Sequence, residues 1–403
     1  QKNAPRQYPP AFHPAPPVCT MPSLITGADC MRGLLLSLIA ALMIAGCSRM
    51  SKPTGLPPTT QSFVQPWKMR SLPKDEANFL LIGDWGSDNK EQRMVAKAAA
   101  EYVRKCRVQF NAAISVGDNI YYDLPKGTSD LRFKTLFEDM YDAKYLNFPF
   151  YMVLGNHEYE NGREKVQLAY ERDHPDSRWK MPAKWYRVDL PEDKPLVTFL
   201  MLDSDRHKLS SADWAKQTAW LEEELAKPRK GPWLMAVAHH PLFSNGAHGD
   251  NGILQIEWGP LLQQYKLDFY INGHDHDLQH VQTNGWNPSF VLVGGGGREQ
   301  KPMRRDNRGM FSRKIFGFAH LRLTADHAEV IYINAKDGQV VHHFLRHLDG
   351  QVEVVSTTPS DKADKKSAYI KLFDEGDSKT PIIRTLDPDP TGEAMDKKAG
   401  ANR

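Results

Sequence analysis

Two histidines one residue apart, His274 and His276, lie in Asn272-Gly273-His274-Asp275-His276, directly after the apolar run Leu267-Asp268-Phe269-Tyr270-Ile271. Neutral imidazole is the commonest protein metal ligand, and a turn where a buried strand ends lets both rings face one cavity. Alone, such a pair is equally a set of hydrogen-bonded loop residues. Four stretches upstream repeat the arrangement with other donors. Asn78 to Ile82 runs into Gly83-Asp84-Trp85-Gly86, and Ala112 to Val116 into Gly117-Asp118-Asn119-Ile120-Tyr121. Phe150 to Leu154 runs into Gly155-Asn156-His157-Glu158, and Trp233 to Ala238 into His239-His240-Pro241. Each time an apolar run stops, a small residue turns the chain and a candidate ligand follows. Asp84 by itself would equally cap the helical pattern from Gln92 to Val103. Together, Asp84, Asp118, Tyr121, Asn156, His239, His274 and His276 exceed the four ligands that fill one zinc ion. With one carboxylate shared they suit two ions. Hard oxygen donors such as aspartate and tyrosinate favour iron(III), and the imidazole-rich half favours zinc, iron(II) or manganese.

The elements that position these residues are legible as periodicity. Further strands read at Val197 to Leu202, Phe290 to Val293, Gly317 to Leu323, Ala328 to Ile333 and Gln339 to Phe344, with helices near Asp213 to Ala226 and Ile253 to Tyr265. Strands alternating with helices, with ligands at strand ends, fit an α/β class. At 403 residues, 40% hydrophobic and 25% charged, the chain has material for one large domain or two smaller ones. A net charge of +3 is too small to point to nucleic acid or to an acidic partner. Cys19, Cys30 and Cys47 lie near the start, which leaves Cys106 alone in the body, so no disulfide framework is possible there. Cys106 ends a helical pattern and reads as a small buried apolar residue.

The five blocks resemble the metallophosphoesterase superfamily, and the tyrosine at 121 resembles the purple acid phosphatases, of which the low-molecular-weight, tartrate-resistant type is most similar. The resemblance spans roughly residues 78 to 346 and includes Leu81-Ile82-Gly83-Asp84-Trp85-Gly86 and Gly273-His274-Asp275-His276-Asp277-Leu278-Gln279. It implies two packed mixed β-sheets flanked by helices, an αββα sandwich with the metals at one edge. It implies an iron(III) site of Asp84, Asp118, Tyr121 and His276, and a divalent site of Asp118, Asn156, His239 and His274. It also implies that His157 and His248, the latter in Asn245-Gly246-Ala247-His248-Gly249, hold phosphate and assist the leaving group; His248 reads alternatively as a solvated loop residue. The sequence departs from the family pattern at Ala238, where glycine is usual, and at Glu158, where aspartate is common. Pro241 sets the register, so His239 is the expected ligand and His240 lies behind it.

The reaction this inventory predicts is hydrolysis of small phosphate monoesters, with both metals binding phosphate oxygens and lowering the pKa of water, at an acidic optimum. A phosphodiesterase or nucleotide hydrolase on the same metals, and a surface lipoprotein that keeps metals without catalysis, stand as alternatives. Gly294 to Gly297 lacks dinucleotide-motif spacing and is expected to pass beneath the site. Arg298, Arg304, Arg305 and Arg308 either steer anionic substrates or lie in a solvated loop. Trp179, Trp185 and Tyr186 either wall the pocket or pack, and His342, His343 and His347 read as structural.

Residues 1–30 read as a segment upstream of the true start. Residues 31–46, with Met31-Arg32-Gly33, an apolar run and Ile44-Ala45-Gly46-Cys47, resemble a bacterial lipoprotein signal peptide. That resemblance implies lipid on Cys47, a membrane anchor and a periplasmic or cell-envelope location. Residues 47–74 read as the lipidated cysteine and tether, 75–348 as the catalytic domain and 349–403 as a polar tail. No obligate protein partner is evident.

Overall fold

In the computed structural model, the residues described are 75–358, less 107, 123–124 and 305–307. The leader, lipid-anchor and tether readings and most of the tail fall outside them. Two sheets form the body. The first runs, edge to edge, β15 (Val352–Thr357), β14 (Val340–His347), β13 (His327–Asn334), β12 (Gly317–Thr324), β1 (Glu76–Ile82), β2 (Ala112–Ser115), β3 (Phe150–Met152) and β4 (Trp179–Lys180). The second runs β11 (Phe311–Arg313), β9 (Leu278–Val281), β10 (Ser289–Val293), β8 (Phe269–Asn272), β7 (Trp233–Val237), β6 (Val197–Met201) and β5 (Tyr186–Leu190). Strands β1 to β4 pair in parallel, as do β6, β7, β8 and β10, while β12 joins β1 antiparallel. Both sheets are therefore mixed.

Strands β1, β2, β6, β7, β8 and β10 are buried along their whole length. This follows from layering, since a sheet covered on both faces must be apolar on both. Between the sheets Phe79 meets Phe199 edge to face at 5.2 Å. Outside the first sheet lies α1 (Lys90–Cys106), whose Tyr102 hydroxyl hydrogen-bonds His320 at 3.1 Å. Outside the second, α4 (Ser211–Ala226), α5 (Gly252–Glu257) and α6 (Gly259–Gln264) cover a second apolar cluster containing Leu200, Trp214, Leu221, Leu262 and Tyr270. The expected two-sheet sandwich flanked by helices is the fold found.

Three features differ from expectation. The single helix expected over Ile253 to Tyr265 is two, because Pro260 in the first turn of α6 has no N–H to continue the preceding hydrogen-bond ladder. The tail expected from residue 349 begins with β15, paired antiparallel to β14. Its half-exposed Val-Glu-Val-Val-Ser-Thr pattern is that of an edge strand, which hydropathy alone does not separate from a polar tail. Strand β9 carries Gln279 and His280 fully buried, the first against the Ser244–Asn245 loop and the second against the first sheet, where an apolar run would be expected. Cys106 closes α1 half-buried against the core. Among the described residues no helix is long and apolar enough to cross a membrane.

Candidate metal centre

Every proposed ligand follows the C-terminal end of a parallel strand: Asp84 after β1, Asp118 and Tyr121 after β2, Asn156 after β3, His239 after β7, His274 and His276 after β8. Asp84, Asp118 and His274 adopt left-handed backbone, with φ of 57°, 50° and 72°. Non-glycine residues occupy that region at a cost of order 1 kcal/mol, and functional turns are where such conformations collect. The turns are crowded as well. A Cβ on Gly296 would lie 2.1 Å from the Gly83 carbonyl oxygen, and one on Gly294 would lie 2.0 Å from the Asp275 carbonyl oxygen. The run Gly294 to Gly297 thus passes directly beneath the ligand loops, where only glycine fits.

The seven side chains converge. On one side the Tyr121 hydroxyl lies 3.2 Å from Asp84 Oδ1 and 3.4 Å from His276 Nε2, and His276 Nε2 lies 3.6 Å from Asp84 Oδ1. On the other, His239 Nε2 lies 3.1 Å from Asn156 Oδ1, 3.1 Å from His274 Nδ1 and 3.4 Å from Asp118 Oδ1. Asp84, Asp118 and His239 offer ligand atoms within 4.8 Å of one another, all buried. Asp118 therefore stands between two half-sites.

The orientation of the rings is fixed from behind. His239 Nδ1–H donates to the Val116 carbonyl at 3.0 Å, and His276 Nδ1–H donates to the Glu299 carbonyl at 2.5 Å, so each Nε2 lone pair points inward. Burial holds His239 and His274 well below the usual imidazole range and His276 at about 4, which keeps all three neutral. Burial, with the charge of Asp118, raises Asp84 well above the carboxylate range; burial also raises Asp118 and Tyr121. Buried carboxylates facing neutral imidazole lone pairs are a donor set suited to cations. Glu158 organises the Asp118 turn, accepting from the backbone N–H groups of Gly155 at 2.6 Å and of Asp118 and Asn119 at 2.9 Å.

The two histidines expected to assist flank opposite halves. The ring of His157 lies 4.7 Å from that of Tyr121, and its Nδ1–H donates to Glu160 at 2.6 Å. The ring of His248 lies 4.1 Å from that of His274, and His248 Nδ1–H donates to Asp275 Oδ1 at 2.9 Å. The hydrogen bonds from His248 and Ser244 outweigh burial and hold Asp275 below its ordinary range. His240 lies behind His239, with its N–H donating to Ser204 Oγ at 2.8 Å. A cleft of about 450 Å³ opens past His248 and His274 and is also lined by His207, His240, Ile253 and Ile256.

Other expectations resolve by location. Arg298 stacks over Tyr121 and Tyr122, with its guanidinium carbon 4.6 and 4.2 Å from their ring centres. Arg308 instead braces a loop by pairing with Asp250, and Arg305 lies outside the described residues. Trp179 is buried among Trp85, Phe133 and Phe137, so it packs rather than walls the pocket. Trp185 packs against the second apolar cluster, and the Tyr186 hydroxyl donates to the Met152 carbonyl at 2.8 Å. His342 stacks on Phe311 between the sheets and contacts His280 at 3.0 Å, whereas His343 and His347 approach Glu329 and Glu353. The three form no cluster. Sequence reasoning gave no role to Asp275, Glu158 or Lys301, whose Nζ lies 3.0 Å from His248 Nε2. The signal for Asp275 was its position inside a ligand motif, and that for Glu158 its standing where the family commonly has aspartate.

Comparison with known proteins gives the family. Residues 77–278 match the calcineurin-like phosphoesterase family model. The chain is 29% identical over 299 residues to tartrate-resistant acid phosphatase type 5 of Sus scrofa, covering 66% of this chain and 86% of that one. It is 30% identical over 287 residues to purple acid phosphatase 7 of Arabidopsis thaliana, covering 66% and 84%. Two solved structures share the fold. One is GAP50, the anchor in the inner membrane complex of Plasmodium (TM-score 0.57, 24% identity, 72% of this chain and 93% of that chain). The other is the purple acid phosphatase PPD1 of yellow lupin seeds (TM-score 0.53, 18% identity, 68% and 54%).

Proposed function

This chain belongs to the calcineurin-like phosphoesterase family, among relatives that are purple acid phosphatases, and on that footing we propose that it hydrolyses phosphate monoesters in mildly acidic solution at a binuclear Fe(III)–M(II) centre. The observation that carries the reading is the convergence of Tyr121, Asp84 and His276 on one side of Asp118, and of Asn156, His239 and His274 on the other. The oxygen-rich half would hold iron(III), and the imidazole-rich half iron(II), zinc or manganese. When bound, the ions supply Lewis acidity toward phosphate oxygens and lower the pKa of water at the site.

The chain's own residues do the rest. Arg298 places its guanidinium over the Tyr121 ring, where it favours arrival of an anion. His157 and His248 border the two halves and would donate a proton to the departing oxygen. A histidine donor works best where imidazole is at least partly protonated, at about 6.5 and below. The alcohol portion of the ester would lie in the cleft past His248 and His274. Small phosphate esters are thus the substrates proposed.

The test is metal content and a visible spectrum on wild type and Tyr121→Phe, with turnover of a monoester and a diester alongside. Two metals per chain including iron, with a visible band lost in the variant and monoester preferred, are expected. Two metals without iron or colour would overturn the ferric assignment, and a preference for the diester would overturn the substrate class. We further propose that the protein is an extracytoplasmic lipoprotein of a bacterial envelope, a reading supported by Ile44-Ala45-Gly46-Cys47 alone. Labelled palmitate should enter the full chain but not Cys47→Ala, and equal labelling of both would refute it.

A further inference from the structure

His248 sits on a loop with glycine on either side of the Ala247-His248 pair, yet the loop is bolted to the ligand turn. Asp275, 1% exposed, accepts from both His248 N–H and His248 Nδ1–H through Oδ1, each at 2.9 Å. Its other oxygen, Oδ2, accepts from the Ser244 hydroxyl. Ser244 Oγ in turn accepts from Gly246 N–H at 2.9 Å and from Gln279 Nε2 at 3.0 Å. Gln279 Oε1 accepts from Asn245 N–H at 2.8 Å, and its Nε2 also donates to Asp277 Oδ1 at 2.8 Å. Space is closed too, since a Cβ on Gly246 would lie 2.2 Å from Asp275 Cγ. The residues Asp275, Asp277 and Gln279 that interrupt and follow the two ligand histidines are thus the seat of the His248 loop.

We propose that Asp275, braced by Ser244 and Gln279, is the positioning residue that fixes His248 as the proton donor to the leaving group. The inference rests on the phosphomonoesterase reading above. A carboxylate at Nδ1 accepts that ring proton and leaves Nε2 as the end that exchanges protons, the same logic by which a carboxylate orients a histidine in acid–base sites. Lys301 Nζ lies 3.0 Å from Nε2 and donates to it, so Lys301 must withdraw for Nε2 to carry the proton that a leaving oxygen accepts. In the step itself, a water oxygen forms the new bond to phosphorus and gives up its proton to solvent, while the P–O bond to the leaving group breaks and the Nε2–H proton passes to that oxygen. The imidazole is left neutral with its proton on Nδ1 against Asp275, and solvent restores the lost proton.

The experiment is steady-state kinetics on a series of phosphate monoesters, from an alkyl phosphate to 2,4-dinitrophenyl phosphate, for wild type, His248→Ala, Asp275→Asn, the double variant and Ser244→Ala. General acids contribute roughly 100- to 10,000-fold, so Asp275→Asn should lose about 10- to 100-fold in kcat on the alkyl ester. On the dinitrophenyl ester, whose leaving group needs no proton, the loss should be under about tenfold, with metal content retained. Ser244→Ala should shift in the same direction by less, and the double variant should be no worse than His248→Ala. In metal-depleted protein the hydrogen-bonded Nδ1 proton resonance of His248 should be present in wild type and absent in Asp275→Asn. Equal losses across all leaving groups, or additive losses in the double variant, would overturn the proposal. If wild type turned over no ester, the functional reading would fall instead, and the Nδ1 resonance would still separate a correct positioning assignment from a wrong one.

Discussion

Gly155→Ala removes no ligand, yet it should empty both half-sites. A Cβ at Gly155 would stand 2.2 Å from Asp118 Oδ1, 2.5 Å from Asp118 N and 2.9 Å from Asp118 Cγ. Ordinary contact begins at 3.4 Å, so the carboxylate would have to retreat by about 1.2 Å, the difference between 3.4 and 2.2. Two of the three contacts involve atoms other than the carboxylate oxygen, so rotating the side chain alone does not relieve them. Overpacking of this kind costs roughly 1–3 kcal/mol, a modest part of the 5–15 kcal/mol that holds a typical domain together. The fold should therefore survive. The chemistry should not, because Asp118 is the donor shared by both half-sites and a displacement of about 1 Å can cost on the order of 100-fold. Metal analysis after dialysis against limiting iron and zinc is the assay, with circular dichroism as the fold control. Both ions should fall together, whereas Asn156→Ala should cost only the divalent one. A Gly155→Ala protein that retained two metals per chain and phosphatase turnover within tenfold of wild type would refute the reasoning.

Two other outcomes follow from the structure. His320, hydrogen-bonded to Tyr102 and Asn78 and far from any ligand, is held at about 3 by burial. Its folded pKa lies below its unfolded value of about 6.5, so the native state excludes a proton that the unfolded chain takes up. The stability it contributes is full above pH 6.5 and is lost as pH falls toward about 3. Denaturant unfolding measured from pH 7 to 5 should therefore show a slope shallower by up to ~1.4 kcal/mol per pH unit in His320→Gln than in wild type; parallel slopes would sink the assignment. Arg298→Ala should raise KM for a phosphate monoester several-fold at low salt and less at high salt, with kcat little changed, since its guanidinium lies over Tyr121 without replacing a ligand. An unchanged KM at both salt concentrations would show that Arg298 serves packing alone.

The residues that converge at the candidate site were legible because each combines two local signals, an apolar run that ends and a small residue that turns the chain. Asp84 after Gly83, Asp118 after Gly117 and Asn156 after Gly155 need no tertiary information to be noticed. The partners of those residues do. Asp275 reaches His248 across 27 positions and Lys301 reaches it across 53, so neither pairing leaves a trace in local spacing. Glu158 was visible only as a departure from the family pattern, because its role depends on backbone N–H groups of the Asp118 turn. Strand β9 escaped notice since Gln279 and His280 are polar, yet Gln279 is buried as a brace and His280 as a stacking partner of Phe344. The edge strand β15 was missed for the converse reason: its residue types are ordinary, and only its pairing with β14 separates strand from tail. The split at Pro260 carried a local signal, the proline itself, which the helical periodicity overrode.

The division of the donors between the sheets bears on how the protein assembles. All the proposed oxygen ligands, Asp84, Asp118, Tyr121 and Asn156, follow strands of the first sheet, and all the proposed imidazole ligands, His239, His274 and His276, follow strands of the second. Neither sheet alone can saturate either ion, and contacts such as His274 to Asp84 close a loop of 190 residues. On the proposed assignment, ion capture would be a late event in folding, possible only once the two layers have docked face to face. It would also act as a latch, making the undocking of one layer from the other the slow step in losing the metals.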